Sequence, residues 1–181
     1  MLKGYYFITD SRLSRAGDIS DIKSALAAGV KIIQYRDKGS DTKKMYREAL
    51  KIRQICKKAL FLINDRLDIA LAVNADGVHL GNKDMPYEVA RKVLGKNKII
   101  GLTVHSEKEA VLAQKQGADY IGVSPIFSTK TKSDAGPGRG VGLLKAIRKK
   151  VSLPIIAIGG INLSNAKEVV AAGADGLCAI S

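Results

Sequence analysis

Polar side chains suited to binding anions and a hard cation recur just after short apolar runs. Gln34-Tyr35-Arg36-Asp37-Lys38 follows one such run. Strand alternation puts Gln34 and Arg36 on one face, with Lys38 just beyond. A guanidinium turned into a protein interior is costly without an anion. Its planar fork matches phosphate oxygens, so an anion site is favoured over a structural ion pair. Asn64-Asp65 ends the next run, and His79-Leu80-Gly81-Asn82-Lys83-Asp84 follows the one after. Asp65 and Asp84 each precede a helical segment, and each alone reads as a helix cap. Together, on neighbouring strands facing phosphate binders, they read as a magnesium site, since magnesium takes one or two carboxylates, waters and substrate phosphates. Thr103 precedes His105 by two residues, and neither His79 nor His105 has a cysteine or histidine at zinc spacing. Packing or hydrogen bonding is the expected role of both histidines. The Gly159-Gly160 pair suits a phosphate cup of backbone N–H groups, completed near Ile180-Ser181. The long polar stretch through Ser128-Thr129-Lys130-Thr131-Lys132 reads as a lid that excludes water. Two anion-binding regions and one divalent cation imply a reaction between two phosphorylated molecules, or transfer from a diphosphate.

A repeat specifies the elements that must hold these groups. Ala28-Gly29-Val30-Lys31, Asn74-Ala75-Asp76-Gly77, Gly117-Ala118-Asp119-Tyr120 and Gly173-Ala174-Asp175-Gly176 each close a helical pattern and open an apolar run. Four further runs, Tyr5 to Thr9, Leu60 to Asn64, Ile99 to Thr103 and Ile155 to Ile158, lie between them. Their continuous Val/Ile/Leu character suits parallel strands covered by helices. Helical patterns span Ile19 to Ala28, Thr42 to Lys58, Arg66 to Val73, Tyr87 to Leu94, Glu107 to Gln116, Gly142 to Lys149 and Asn165 to Ala172. Ser106 with Glu109 forms a capping box. Strict alternation predicts an α/β fold, a (β/α)8 TIM barrel lacking its final helix, as one domain over residues 1–181. No G-x-G-x-x-G follows the first strand, which disfavours a doubly wound sheet. A helix face missing beside strands eight and one would expose apolar surface. A homo-oligomer is expected to cover it.

Composition narrows the partners. The 181 residues are 46% hydrophobic and 26% charged, an ordinary globular balance. No apolar run reaches the roughly 18 residues of a membrane span. Met1 to Ile8 is too short for a signal-peptide core, and Cys56 and Cys178 read as buried thiols, so a cytoplasmic protein is expected. The net charge of +13 is spread over scattered lysines, with 5% aromatic residues and no tryptophan. Small phosphorylated molecules suit this surface better than nucleic acid does.

Six motifs in order carry a resemblance. Gln34-Tyr35-Arg36-Asp37-Lys38, Asn64-Asp65, His79-Leu80-Gly81 with Asp84, Gly101-Leu102-Thr103-Val104-His105, Thr129-Lys130-Thr131-Lys132 and Ile158-Gly159-Gly160-Ile161 resemble the thiamine phosphate synthase family. The resemblance implies a transferase that condenses 4-amino-2-methyl-5-(hydroxymethyl)pyrimidine diphosphate with thiazole phosphate, using Mg2+. It implies that Gln34, Tyr35, Arg36, Asp37, Lys38, Asn64, Thr103 and Lys132 hold the pyrimidine diphosphate. Asp65 and Asp84 would hold the metal. Thr129, Lys130, Thr131, Gly160, Ile180 and Ser181 would hold the thiazole phosphate. Arg36, Lys38 and Lys132 would carry catalysis by stabilising charge on the leaving group. Thr103 stands where the family often has serine, and Asp37 where it often has glutamate. Two alternatives share the scaffold. One is a thiazole tautomerase, with His105 as acid or base. The other is a non-catalytic barrel that binds phosphate ligands.

Overall fold

Eight parallel strands close into a barrel in strict sequence order in the computed structural model, which describes residues 2–129, 131 and 136–179. The order is β1 Gly4–Ile8, α1 Asp18–Ala27, β2 Ile32–Tyr35, α2 Thr42–Ile55, β3 Leu60–Asn64, α3 Leu67–Ala72, β4 Gly77–Leu80 and α4 Tyr87–Leu94. It continues with β5 Ile99–Val104, α5 Glu107–Gln116, β6 Tyr120–Val123, α6 Gly140–Arg148, β7 Ile155–Ile158, α7 Ala166–Ala171 and β8 Gly176–Ala179. The ring closes where β1 pairs with β8, from Gly4 opposite Gly176 to Phe7 opposite Ala179. Among the described residues seven helices cover the strands and none follows β8. The described residues form a TIM-type barrel of eight strands and seven helices, as the sequence alternation implies. No helix among them is long and apolar enough to cross a membrane.

Two apolar cores follow from strand alternation. Outward residues such as Ile33, Ile63, Val78, Ile100, Ile121 and Ile155 pack against the helix ring. Inward residues Tyr6, Ile8, Ile32, Leu62, Tyr120, Ile156 and Cys178 fill the barrel. The inner space is too narrow for a large residue on every strand. Glycine at 101 gives up its volume to Tyr120, whose ring atoms lie 2.0–2.5 Å from where a Cβ would stand. Gly122 does the same for His79, at 3.0 Å.

The Ala-Asp steps before three strands have a shared task. The carboxylate of Asp76 accepts Phe61 N–H at 2.7 Å and pairs with Arg53 of α2 at 2.9 Å. Asp119 accepts Ile100 N–H at 2.8 Å and pairs with Arg91 of α4 at 2.6 Å. Asp175 accepts Ile155 N–H at 3.0 Å and pairs with Arg148 of α6 at 3.1 Å. Each aspartate satisfies a strand-entry donor that lacks a ladder partner, and ties a helix to it. The clamps sit at the strand starts, which leaves the opposite rim for binding groups.

Helix ends differ slightly from the sequence reading. α2 stops at Ile55 rather than Lys58, because the chain must turn at Cys56 to enter β3 at Leu60. α5 starts as expected: Ser106 Oγ accepts Glu109 N–H at 3.2 Å. The Glu109 carboxylate in turn accepts the N–H of His105 at 2.6 Å. Cys56 and Cys178 are buried free thiols.

Candidate active site

The carboxyl ends of the strands surround a cavity of about 680 Å³. From β2, Gln34, Arg36 and Lys38 line it; from β3, Asn64 and Asp65; from β4 and its loop, His79 and Gly81 through Asp84; from β5, Thr103 and His105. Tyr35 and Asp37, also expected at the diphosphate, are not among the residues that line it. The alternation that turns Gln34 and Arg36 inward turns these two outward. Tyr35 donates its hydroxyl to Glu48 of α2 at 2.8 Å. Asp37 caps the loop by accepting the N–H groups of Gly39 and Ser40 at 2.8 and 3.0 Å.

Arg36 is held by Asp10 at the end of β1, Nη1 to Oδ2 at 2.6 Å. Asp10 also takes a fork from Arg12, at 3.0 Å from Nε and 2.9 Å from Nη2. The Arg12 fork, with Arg36 beside it, holds the Asp10 carboxyl below its ordinary range. Arg12 lines the cavity too, and its side chain is 64% exposed. Sequence reasoning missed both residues. The signal was present in Thr9-Asp10-Ser11-Arg12, a polar run after the first strand that mirrors the runs after later strands.

Asp65 and Asp84 come together on one side of the cavity. Neither is a helix cap. The N-cap positions of α3 and α4 are Arg66 and Pro86, neither with a side-chain cap bond. Asp84 instead accepts Gly81 N–H at 2.7 Å. Its carboxyl is pushed up, first by burial and then by the neighbouring Asp65 carboxyl. Asp65 pairs with the Lys38 ammonium. It adopts a left-handed backbone, φ 61°, which few residues other than glycine tolerate. Two carboxylates forced together at a partly wet rim favour a cation between them. That donor set fits magnesium, which takes one or two carboxylates and completes its shell with water and phosphate.

The opposite side is built by the segment after β6. Ile126 N–H donates to Ile158 O at 2.9 Å and Phe127 N–H to Gly159 O at 3.0 Å, which lays this segment along the end of β7. Gly160 has φ 62° and lies against Phe127 and Ser128, where a Cβ would stand 2.8 Å from Phe127 Cβ. Thr129 accepts Thr131 N–H through its hydroxyl at 3.2 Å. Thr129, Thr131 and Gly160 are thus on the β6–β7 side, away from the carboxylate pair, and do not line the main cavity. Lys130, Ile180 and Ser181, also expected here, and Lys132, expected at the pyrimidine diphosphate, lie outside the described residues.

His105 Nδ1 lies 2.6 Å from the Ser124 carbonyl oxygen. A carbonyl only accepts, so Nδ1 carries the proton, and neutral His105 keeps a lone pair on Nε2. Both histidines are hydrogen-bonded, as expected for residues without metal-ligand company.

Known proteins resemble the chain along nearly its whole length. Residues 5–181 match the family described as thiamine monophosphate synthase. A thiamine-phosphate synthase of Methanosarcina barkeri is 53% identical over 178 residues, which cover 98% of this chain and 81% of the relative. One of Chloroflexus aurantiacus is 48% identical over 97% of this chain and 82% of the relative. The solved thiamine phosphate pyrophosphorylase of Pyrococcus furiosus superposes with a TM-score of 0.91 at 44% identity, over 99% of this chain and 86% of that one. On the family match and on relatives about half identical across almost its whole length, the chain belongs to the thiamine monophosphate synthase family.

Proposed function

We infer that the chain joins 4-amino-2-methyl-5-(hydroxymethyl)pyrimidine diphosphate to thiazole phosphate, giving thiamine phosphate and diphosphate. The observation that carries this reading is the convergence of Gln34, Arg36 and Lys38 with the Asp65–Asp84 pair around one cavity. The bond between the pyrimidine methylene carbon and the diphosphate oxygen breaks, and the oxygen keeps the electron pair. The thiazole nitrogen then donates its lone pair to that carbon. No side-chain nucleophile is required. Gln34, Asn64 and Thr103 orient the pyrimidine, while Arg36 and Lys38 face the charge that grows on the departing diphosphate. Lys132 belongs with them. Magnesium held by Asp65 and Asp84 would neutralise part of the diphosphate charge. Thr129, Lys130, Thr131, Gly160, Ile180 and Ser181 form the thiazole-phosphate side.

The proposal extends to one barrel domain over residues 1–181 in the cytoplasm, a setting supported by two free thiols. It extends also to a homo-oligomer over the outer face beside β1, where Tyr5 and Leu13 are 45% and 46% exposed.

The test is one incubation of the protein with both substrates and magnesium, assayed for thiamine phosphate and diphosphate beside a chelated control. Metal-dependent product is expected. Asp65→Asn with Asp84→Asn should abolish turnover at any magnesium concentration, and an ordinary magnesium titration by that variant would remove the metal assignment. Folded protein that forms no product, yet isomerises a thiazole phosphate through His105, would instead establish the tautomerase. Ligand-induced stabilisation without any turnover would establish the binding protein.

A further inference from the structure

Beneath the cavity, five polar side chains on five strands form one hydrogen-bonded row across the barrel. Gln34 on β2 donates its amide N–H to Tyr6 Oη on β1 at 2.6 Å. Tyr6 Oη lies 2.8 Å from Tyr120 Oη on β6. Tyr120 Oη lies 2.8 Å from His79 Nδ1 on β4, and His79 Nε2 lies 2.8 Å from Thr103 Oγ1 on β5. Tyr6 and Tyr120 are 1% and 0% exposed and do not line the cavity, whereas Gln34, His79 and Thr103 do.

Counting hydrogens gives the row a direction. Each phenol has one hydrogen and sits between two partners, so it accepts from one and donates to the other. Gln34 donates to Tyr6, so Tyr6 donates to Tyr120, and Tyr120 donates to His79 Nδ1. Nδ1 therefore carries no proton. The proton of neutral His79 sits on Nε2 and is given to Thr103. Two groups remain for the cavity: the Gln34 carbonyl oxygen as an acceptor and the Thr103 hydroxyl hydrogen as a donor. Burial drives both tyrosines far above their ordinary range, so they stay protonated. Reversal requires every hydrogen in the row to move and the Gln34 amide to turn over. A partial reversal would leave a buried group unpaired, which is costly.

We propose that Tyr120, with Tyr6, is a positioning residue that fixes the hydrogen-bond polarity of the cavity floor and so selects an aminopyrimidine over its oxo counterpart. The inference rests on the pyrimidine diphosphate being the substrate. An exocyclic amine offers the Gln34 oxygen an N–H. A 4-oxo analogue presents a lone pair there instead, and lone pair faces lone pair. A site built on a buried polar partner rejects the wrong analogue by orders of magnitude, where an apolar pocket does not. Tyr120 matters most because it is the single link between the Gln34 half of the row and the His79 half. The ring fits only because position 101 is glycine.

The test compares the 4-amino and 4-oxo pyrimidine diphosphates as substrates for wild type and Tyr120→Phe. Wild type should prefer the amino compound by about 100-fold or more in kcat/KM. Tyr120→Phe keeps the ring but cuts the row, so this preference should fall at least about 10-fold, with the KM for thiazole phosphate unchanged. A preference equal to that of wild type, whatever the loss of rate, overturns the proposal, because a merely structural role would lower both compounds alike. Tyr6→Phe cuts the row one bond away and must give the same collapse, which covers a Tyr120→Phe protein that does not fold. Nitrogen NMR of the wild-type protein reads the row without turnover, with His79 told from His105 through a His105→Gln variant. Proton on Nε2 of His79 is expected, and proton on Nδ1 overturns the assigned direction. Wild type inactive with both diphosphates would defeat the proposed function, while the NMR result would still decide the row.

Discussion

Arg36 answers two needs at once, and its neighbours show how. The Asp10 side chain is 2% exposed and depends on arginine for charge compensation. Arg36 spends Nη1 on it and lines the cavity as well. A structural ion pair does not exclude an anion site: Asp10 supplies the pair, and Arg36 still lines the cavity. Arg36→Ala should lower kcat/KM for the pyrimidine diphosphate by about 10²–10³, the usual loss when one donor to developing charge is removed. It should also weaken competition by inorganic diphosphate. Steady-state kinetics with that inhibitor check both, and an unchanged rate would discard the anion site. Arg12→Ala, at an exposed position, should cost less than a tenth of that loss. Sequence alternation alone was enough to place Gln34, Arg36 and Lys38 together. The same rule turns Tyr35 and Asp37 to the other face, where they bond to Glu48 and to the loop N–H groups of Gly39 and Ser40. Asp10 and the row through Tyr6 and Tyr120 were not legible, because partnerships across a barrel depend on its radius and not on spacing along the chain.

Helix α1 carries a different signature. Asp18, in its first turn, has one carboxylate oxygen that is buried without a hydrogen-bond partner, as does the Ser14 hydroxyl. Burial pushes the Asp18 carboxyl up to about 6, helped by Glu48, Asp37, Asp21 and Asp10 around it. The unfolded carboxyl titrates near 3.8. The folded chain therefore holds this proton more tightly, and the contribution is fully present below the unfolded value. It is lost as pH rises through about 6. At neutral pH the ionised carboxylate works against folding. Asp18→Asn should raise Tm at pH 7.5 by a few degrees and change it little near pH 4. Thermal melts across that range decide it, and a gain that persists at pH 4 would mean that charge is not the cause. At this scale the sequence was most informative. The Ala-Asp steps marked the entries of β4, β6 and β8, since a helix must end there and a strand begin. They did not disclose that Asp76, Asp119 and Asp175 clamp a strand N–H to an arginine of a helix, because each arginine lies 23 to 28 residues from its aspartate.

Over the whole molecule the net charge of +13 has a direction of use. Arg12, Arg36, Lys38 and Lys83 reach one cavity whose ligands, on the proposed function, are both phosphorylated. Of the carboxylates in or beside that cavity, Asp10 is paired with two arginines and Asp65 with Lys38, while Asp84 accepts Gly81 N–H. The remaining lysines are scattered along the chain, and although Lys150 pairs with Glu107, their summed field acts at the distance of an approaching anion. Such a field is screened beyond about 10 Å at 0.1 M salt. Contacts made inside the cavity are screened far less. Raising ionic strength from about 20 to 300 mM, on either side of that screening length, should therefore raise the KM for the pyrimidine diphosphate severalfold and leave kcat almost unchanged. Initial rates at fixed free magnesium measure this, since salt must not alter the supply of metal. A flat KM would mean that the surface lysines serve solvation alone and that Arg12, Arg36 and Lys38 suffice for capture. A fall in kcat equal to the rise in KM would place the salt-sensitive charges inside the cavity, in the closing of the charged rim around the leaving group.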